Sequence, residues 1–336
     1  MSLFGKDQNR RQFIKNLALG GTALVVGCAK KPTSPEPEDN HDPGGDPPQE
    51  KTRIALVKTA DRTQGVPLLL EMLEFPSMTG KNVILKPNFN TADPPPASTH
   101  NDTLRQLVCE IQARQAASIT LAERSYQTFE DVIQLKGIDT MANEMGFSIV
   151  HLDEDEYSMF HHDALHWANG FRLPKTIGEA EYIVSTCCLK THFIGVITMS
   201  LKLGVGILPR LHMQELHNSN RINSMIAEIN LAYKPDLIVM DGVKTFVSGG
   251  PSSGTLRDGN VMVAGTDRVA VDVVGTAILK DLGSTSVGSK IFSIEQIKRA
   301  RELNLGIQEP DQIEFVTGDE ESRIYAEQLT TLIASG

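Results

Sequence analysis

Three lysines stand in short polar segments that each interrupt an apolar stretch: Lys86 in Lys86-Pro87-Asn88, Lys190 in Leu189-Lys190-Thr191-His192, and Lys202 in Ser200-Leu201-Lys202. Lysine supplies a strong point charge, and burial lowers its pKa enough for base or nucleophile chemistry. With His192 the three would form a cationic pocket for a carboxylate or phosphate. The competing reading is structural, with these lysines bridged to Asp241, Asp267 and Asp272 to pin loops together. Asp272 lies within the run Val269-Ala270-Val271-Asp272-Val273-Val274. An acid in so apolar a setting needs a partner, and a lysine is expected in preference to a metal. Asp267 or Thr266 suits a helix N-cap, where a side-chain oxygen meets orphan N–H groups.

Other constellations are weaker. Gly249 to Gly254 is glycine-rich with two serines, so its backbone N–H groups are a candidate anion cradle through Gly250 and Gly254. It has no Walker or dinucleotide pattern, and a plain surface turn is the preferred reading. His161, His162 and His166 lie near Asp153, Glu154, Asp155 and Glu156, with His162 and His166 at helical i,i+4 spacing. That spacing binds zinc in some settings, but no HExxH pattern is present, and an exposed acidic-histidine insertion is expected. His192 and His217 are candidate general acids or bases near neutral pH. No nucleophile elbow is present, and Cys187-Cys188 reads as a pair of small buried hydrophobes. A disulfide from Cys109 to either of them is left open.

Loops at the carboxyl ends of parallel strands would bring such residues together. The sequence alternates β-branched runs with longer amphipathic stretches from Arg53 onward. Strands are expected at 53–58, 82–86, 118–122, 148–152, 182–186, 237–240, 261–264 and 313–316. Helices are expected at 65–73, 102–115, 128–134, 140–146, 213–233, 268–282, 293–303 and 320–333. The alternation implies an α/β fold, a largely parallel sheet with helices on both faces. A division into two lobes would fall near 170–178. Lys86, Asn88, Lys190, His192, Asp241, Gly250 and Asp267 all follow or end expected strands.

The chain has 336 residues and a formal net charge of −10. Nucleic acid is therefore not an expected partner, since its binding needs a basic stripe, and the 5% aromatic content offers few stacking platforms. Four cysteines without a cluster-binding run exclude an iron–sulfur motif; a metal ion remains a candidate cofactor. Asn9-Arg10-Arg11-Gln12-Phe13-Ile14-Lys15, followed by the apolar run from Leu17 to Val26, reads as a twin-arginine export signal. Val25-Val26-Gly27-Cys28 has the form of a lipobox, so Cys28 is the expected lipidation site. Residues 29–52, rich in Pro, Glu, Asp and Gly, are expected to be a disordered tether ahead of an α/β domain at 53–336. The expected partners are the twin-arginine translocation machinery, a membrane held through the lipid, and a small anionic ligand. The expected location is the periplasmic or cell-surface side.

Several of these blocks together resemble the family called domain of unknown function 362. They are Lys86-Pro87-Asn88, Leu189 to His192 with Gly195-Val196 and Ser200-Leu201-Lys202, Asp241-Gly242, Gly250-Pro251-x-x-Gly254, and Ala264-Gly265-Thr266-Asp267-x-Val269-Ala270-Val271-Asp272. The resemblance runs from about residue 53 to 283 in the family's order, and His192 and His217 align with its pattern. Many members carry an appended ferredoxin-like cluster domain whose cysteines are missing here, so no electron-transfer role is implied. The chain also departs from the family at Lys202-Leu203, where Lys-Asn is usual. A fainter similarity of layout to nickel-dependent lactate racemases transfers no residues. The reading is an exported α/β protein of unknown activity, acting as an enzyme on a small anionic metabolite. Lys190, His192 and Asp272 would be catalytic; Lys86, Asn88, Lys202, Asp241, Gly250, Gly254, Asp267 and His217 would bind ligand. The alternatives are a non-catalytic metal- or metabolite-binding lipoprotein and an accessory factor of a periplasmic redox complex.

Overall fold

Alternation along the central strands separates two apolar layers. In β1 (Thr52–Lys58), Ile54 and Leu56 enter one core while Ala55 and Val57 enter another. In β11 (Val261–Gly265), Val261 and Val263 join the first core, and Met262 and Ala264 the second. Successive strand residues point to opposite faces, so a strand apolar at every position must be covered on both sides. Each fully buried Leu, Ile or Val contributes about 1.5–3 kcal/mol relative to exposure.

The computed structural model describes residues 51–336. Arg10, Arg11, Cys28 and nearly all of the expected tether lie outside the described residues. The remaining strands are β2 (Asn82–Lys86), β3 (Ser118–Glu123), β4 (Ser148–His151), β5 (Tyr157–Phe160), β6 (Phe171–Pro174), β7 (Tyr182–His192), β8 (Val196–Thr198), β9 (Leu237–Gly249), β10 (Gly254–Asp258) and β12 (Ile313–Val316). The main sheet runs β12-β1-β11-β9-β7-β2-β3-β4, with β10 paired to β9 and β8 to β7. Its neighbours are parallel except where β11 pairs antiparallel with β1 and β9, and where the two short strands attach. The protein is thus α/β with a mostly parallel sheet.

Helices at Arg62–Met72, Asn101–Ala113, Phe129–Leu135 and Ile138–Met145 supply the residues that cover one face. Helices at Arg268–Asp281, Glu295–Glu302 and Glu320–Ala334 cover the other, joined by a third cluster around Ile84, Ile183 and Tyr233. Residues Gln49–Gly336 form one unit, so no lobe boundary falls near 170–178. The helix expected at 213–233 is two, Arg210–Asn218 and Ile222–Ile229, parted at the polar Ser219-Asn220-Arg221. Among the described residues, no helix is long and apolar enough to cross a membrane.

Candidate functional site

Strands β7, β2 and β3 lie side by side and parallel, so their carboxyl ends meet at one edge of the sheet. Lys86 ends β2 and Glu123 ends β3. Strand β7 continues beyond its expected end at Thr186 to His192, then returns as β8. That hairpin places Lys190 opposite Thr198. A cavity of about 1000 Å3 opens at this edge, within the range typical of small-molecule sites.

The wall includes Lys86, Asn88, Lys190, His192, Lys202, His217 and Gly250, which the sequence analysis singled out from separate segments. It also includes Arg124 and Arg210, and its carboxylate is Glu123. Glu123 is already engaged: it accepts from Lys86 Nζ at 2.7 Å, from Phe89 N at 3.0 Å and from Arg124 N at 2.7 Å. Lys86 also donates to Pro87 O at 3.0 Å. Burial lowers the Lys86 ammonium and raises the Glu123 carboxyl, each opposed by the attraction between the two. Gly206 backs directly onto this pair; a Cβ there would fall 2.8 Å from Lys86 Nζ.

The other two lysines have no carboxylate partner among the described residues. Lys190 is buried, donates to Ala97 O at 2.6 Å, and is pushed down by desolvation. Lys202 sits on the short helix Ser200–Leu203, its stem lying along Gly195. No hydrogen bond from its ammonium to the described residues is present. Loss of water around that group, followed by the Lys190 charge, lowers it to about 8. Arg124 is paired with Asp153 at 3.2 Å.

His192 organises the turn between β7 and β8. Its Nδ1 accepts from Ile194 N and Gly195 N, both at 3.0 Å. An imidazole accepting at Nδ1 carries its proton on Nε2 and is neutral. Desolvation, then the charges of Lys202, Lys190 and His217, hold its pKa at about 2. His192 is therefore a fixed hydrogen-bond donor at the pocket wall, and the expectation that it titrates near neutrality fails on this geometry. His217 lies on the helix Arg210–Asn218, with Nδ1 2.7 Å from Met213 O. Thr198 is 6% exposed and its hydroxyl has no partner, although it lines the cavity.

Four other expected site residues stand apart from the cavity wall. Asp272 was expected to meet a lysine. Its carboxylate instead accepts from Ser200 N at 2.7 Å and Leu201 N at 3.0 Å. It thereby caps the turn that carries Lys202, and burial raises its pKa to about 7. Asp241 pairs with Arg62 at 2.6 Å and accepts from Thr103 Oγ1 at 2.8 Å. Asp267 is an N-cap, bonded to Val269 N, Ala270 N and also Ile307 N. None of these acids meets a lysine, so the loop-pinning alternative is also replaced. Gly254 begins β10 and pairs with Gly249, while residues 250–253 reach the cavity. Gly250 N donates to Ser253 O, so that N–H is engaged within the turn.

Residues 161–170 form no helix, and His166 meets the buried Glu228 at 2.5 Å, beside Arg299. Cys109, Cys187 and Cys188 are free thiols; Cys187 and Cys188 are buried, with Cys188 pushed up to about 11. A metal could draw on Glu130, His151 and Glu154, whose ligand atoms lie within 4.8 Å of one another outside this cavity wall. Inside the cavity, the engaged Glu123 and the surrounding cations disfavour a bare divalent ion. Sequence reasoning assigned no site role to Glu123, Arg124, Thr198 or Arg210. Glu123 and Arg124 alone had a usable signal, their place just after an expected strand.

Three similarities bear on the chain. The lactate racemase apoprotein from Thermoanaerobacterium thermosaccharolyticum aligns over 84% of this chain and 86% of that chain, with a TM-score of 0.44 and 13% identity. No site residue is transferred from it. A thylakoid-associated protein of Synechocystis sp. is 26% identical over 208 residues, 60% of this chain and 64% of that protein, so the match spans less than two-thirds of its length. The family model described as Domain of unknown function (DUF362) matches residues 83–277, which contain the three lysines, His192 and the Asp272 cap. With more than half of its length so matched, the chain belongs to the DUF362 family.

Proposed function

We propose that the cavity binds a small anionic metabolite, a carboxylate or phosphate, and that the protein acts on it as an enzyme. One observation carries the reading: Lys190 and Lys202 line the cavity without a carboxylate partner, while Glu123 is held by Lys86. Buried ammonium groups left unpaired are costly, and an anionic ligand would offset that cost. The protein as a whole carries −10, so the cavity's charge is a local arrangement and not a reflection of composition. The neutral Nε2–H of His192, the Thr198 hydroxyl and the Asn88 amide would orient the ligand's uncharged oxygens.

The site is proposed to work outside the cytoplasm, on a protein exported through Arg10-Arg11 and anchored through Cys28. The residue pattern around those positions supports this, as does a relative named for its association with thylakoids. Cys28→Ser should move the protein from the membrane to the soluble fraction, and retention would defeat the anchor. The pocket reading is tested by thermal shift with a panel of carboxylates, phosphates, neutral sugars and amines. Stabilisation confined to anions supports it; none from any anion refutes it.

A further inference from the structure

The geometry points to Lys202 as a covalent catalytic residue whose amine adds to a small carbonyl compound bearing a carboxylate or phosphate. This rests on the anionic-cavity reading and adds the reaction class.

The three lysines of the wall are not equivalent. Lys86 is locked to Glu123, and Lys190 is tethered to the Ala97 carbonyl. Lys202 alone of the three donates to nothing among the described residues. Its placement is built by others. Asp272 caps the two N–H groups at the start of its turn, and Asn230 Nδ2 donates to Leu201 O at 2.9 Å. Gln296 Nε2 donates to Gly195 O, fixing the backbone along which the Lys202 stem lies. A long flexible side chain held this way, with its head unengaged, is poised to react.

The surroundings suit a carbonyl. Lys190 and Thr198 face each other across the hairpin, one a fixed cation and the other a buried hydroxyl without a partner. They would take the anionic group, while the Nε2–H of His192 donates to the carbonyl oxygen. With an ammonium pKa of about 8, roughly one Lys202 in ten is neutral at pH 7, a far larger share than for an ordinary lysine.

The step balances without an oxidant or reductant. The amine lone pair bonds to the carbonyl carbon as the C=O π pair moves to oxygen; oxygen gains a proton and nitrogen loses one. The carbinolamine then expels its hydroxyl with a second proton as water, leaving C=N. In total, one carbonyl oxygen and two amine hydrogens depart as water.

The full chain is incubated with pyruvate or with dihydroxyacetone phosphate, with and without sodium cyanoborohydride, then read by intact mass and peptide mapping. One reduced adduct per chain, on the peptide containing Lys202 and only with reductant, is expected from at least one of the two; which one tells a carboxylate site from a phosphate site. Lys202→Arg, checked for an intact unfolding transition, should give no adduct. Adducts spread over exposed lysines, an adduct on Lys190, or no adduct with either compound would overturn the proposal. Lactate and glycerol 3-phosphate, which lack the carbonyl, provide the separate control on the wild-type chain. If they raise its melting temperature and no adduct forms, only the covalent step fails; if neither they nor any other anion of the thermal-shift panel raises it, the anionic cavity fails too.

Discussion

Separating Glu123 from Lys86 is the sharpest structural perturbation of the pocket floor. Both side chains are almost wholly inaccessible, at 2% and 1% exposure, and their charged atoms are 2.7 Å apart. Glu123→Gln removes the charge but keeps the size. It leaves the Lys86 ammonium beside an amide that cannot accept from Lys86, Phe89 N and Arg124 N together. Removing one member of a buried pair destabilises by about 3–5 kcal/mol, because the remaining charge is uncompensated. Lys86→Met should cost a similar amount, partly relieved by the two N–H groups that still reach Glu123. The double variant holds no charge, and Met has nearly the length of the lysine stem. It should lie at least about 2 kcal/mol above the sum of the singles. Urea unfolding of the four proteins measures this coupling. Additivity within about 0.5 kcal/mol would refute the view that the pair is one electrostatic unit.

Asp272 predicts a pH signature. Its folded-state pKa of about 7 exceeds the 3.8 of an unperturbed aspartate, so the folded state binds the proton more tightly. The resulting penalty is absent below pH 3.8, grows between 3.8 and about 7, and then levels off at about 4 kcal/mol. Asp272→Asn should therefore gain stability relative to the parent as pH rises through that window, and a constant difference would contradict it. His192, by contrast, should show the Nε2-protonated neutral tautomer by nitrogen NMR throughout about pH 5–8; titration near 6.5 would contradict the turn geometry. Gly250→Ala puts a Cβ against the Thr191 carbonyl at φ +76°, and should destabilise by roughly 1–3 kcal/mol while weakening anion binding. Wild-type unfolding behaviour in that variant would mean the 250–253 turn does not form a wall of the pocket.

The eight strands of the main sheet path were legible because the central ones are runs of β-branched and aliphatic residues buried on both faces, while the edge strands β4 and β12 are short β-branched runs that are only partly buried. What escaped was the part of the fold that makes the site. The continuation of β7 through Cys188-Leu189-Lys190-Thr191-His192 is polar at its end, and β8 has three residues, so neither shows a strand period. Strand β10 is exposed throughout and reads as loop. The lysines were findable because a cation after an apolar strand needs a reason. The roles of the acids were not. Arg62 lies 179 positions from Asp241, and Ser200 lies 72 from Asp272, and no local pattern carries such pairings. The acids looked like lysine partners because charge was the visible property, whereas the fold offered backbone N–H groups to Asp267 and Asp272 and a distant arginine to Asp241. His192 misled for a related reason: its type suggests a proton carrier, but the turn it holds fixes one tautomer.

Isothermal titration of the best-binding anion into wild-type protein, Lys190→Met and Lys202→Met tests the central claim most directly. A charge-assisted hydrogen bond contributes about 1.5–3 kcal/mol, so each variant should lose roughly 10- to 100-fold in affinity. Lys175→Met, at an exposed surface pair with Glu156, should lose nothing. Affinities of both cavity variants within about threefold of wild type would mean that the two carboxylate-free lysines do not hold the ligand, and the cavity would not be the anion site.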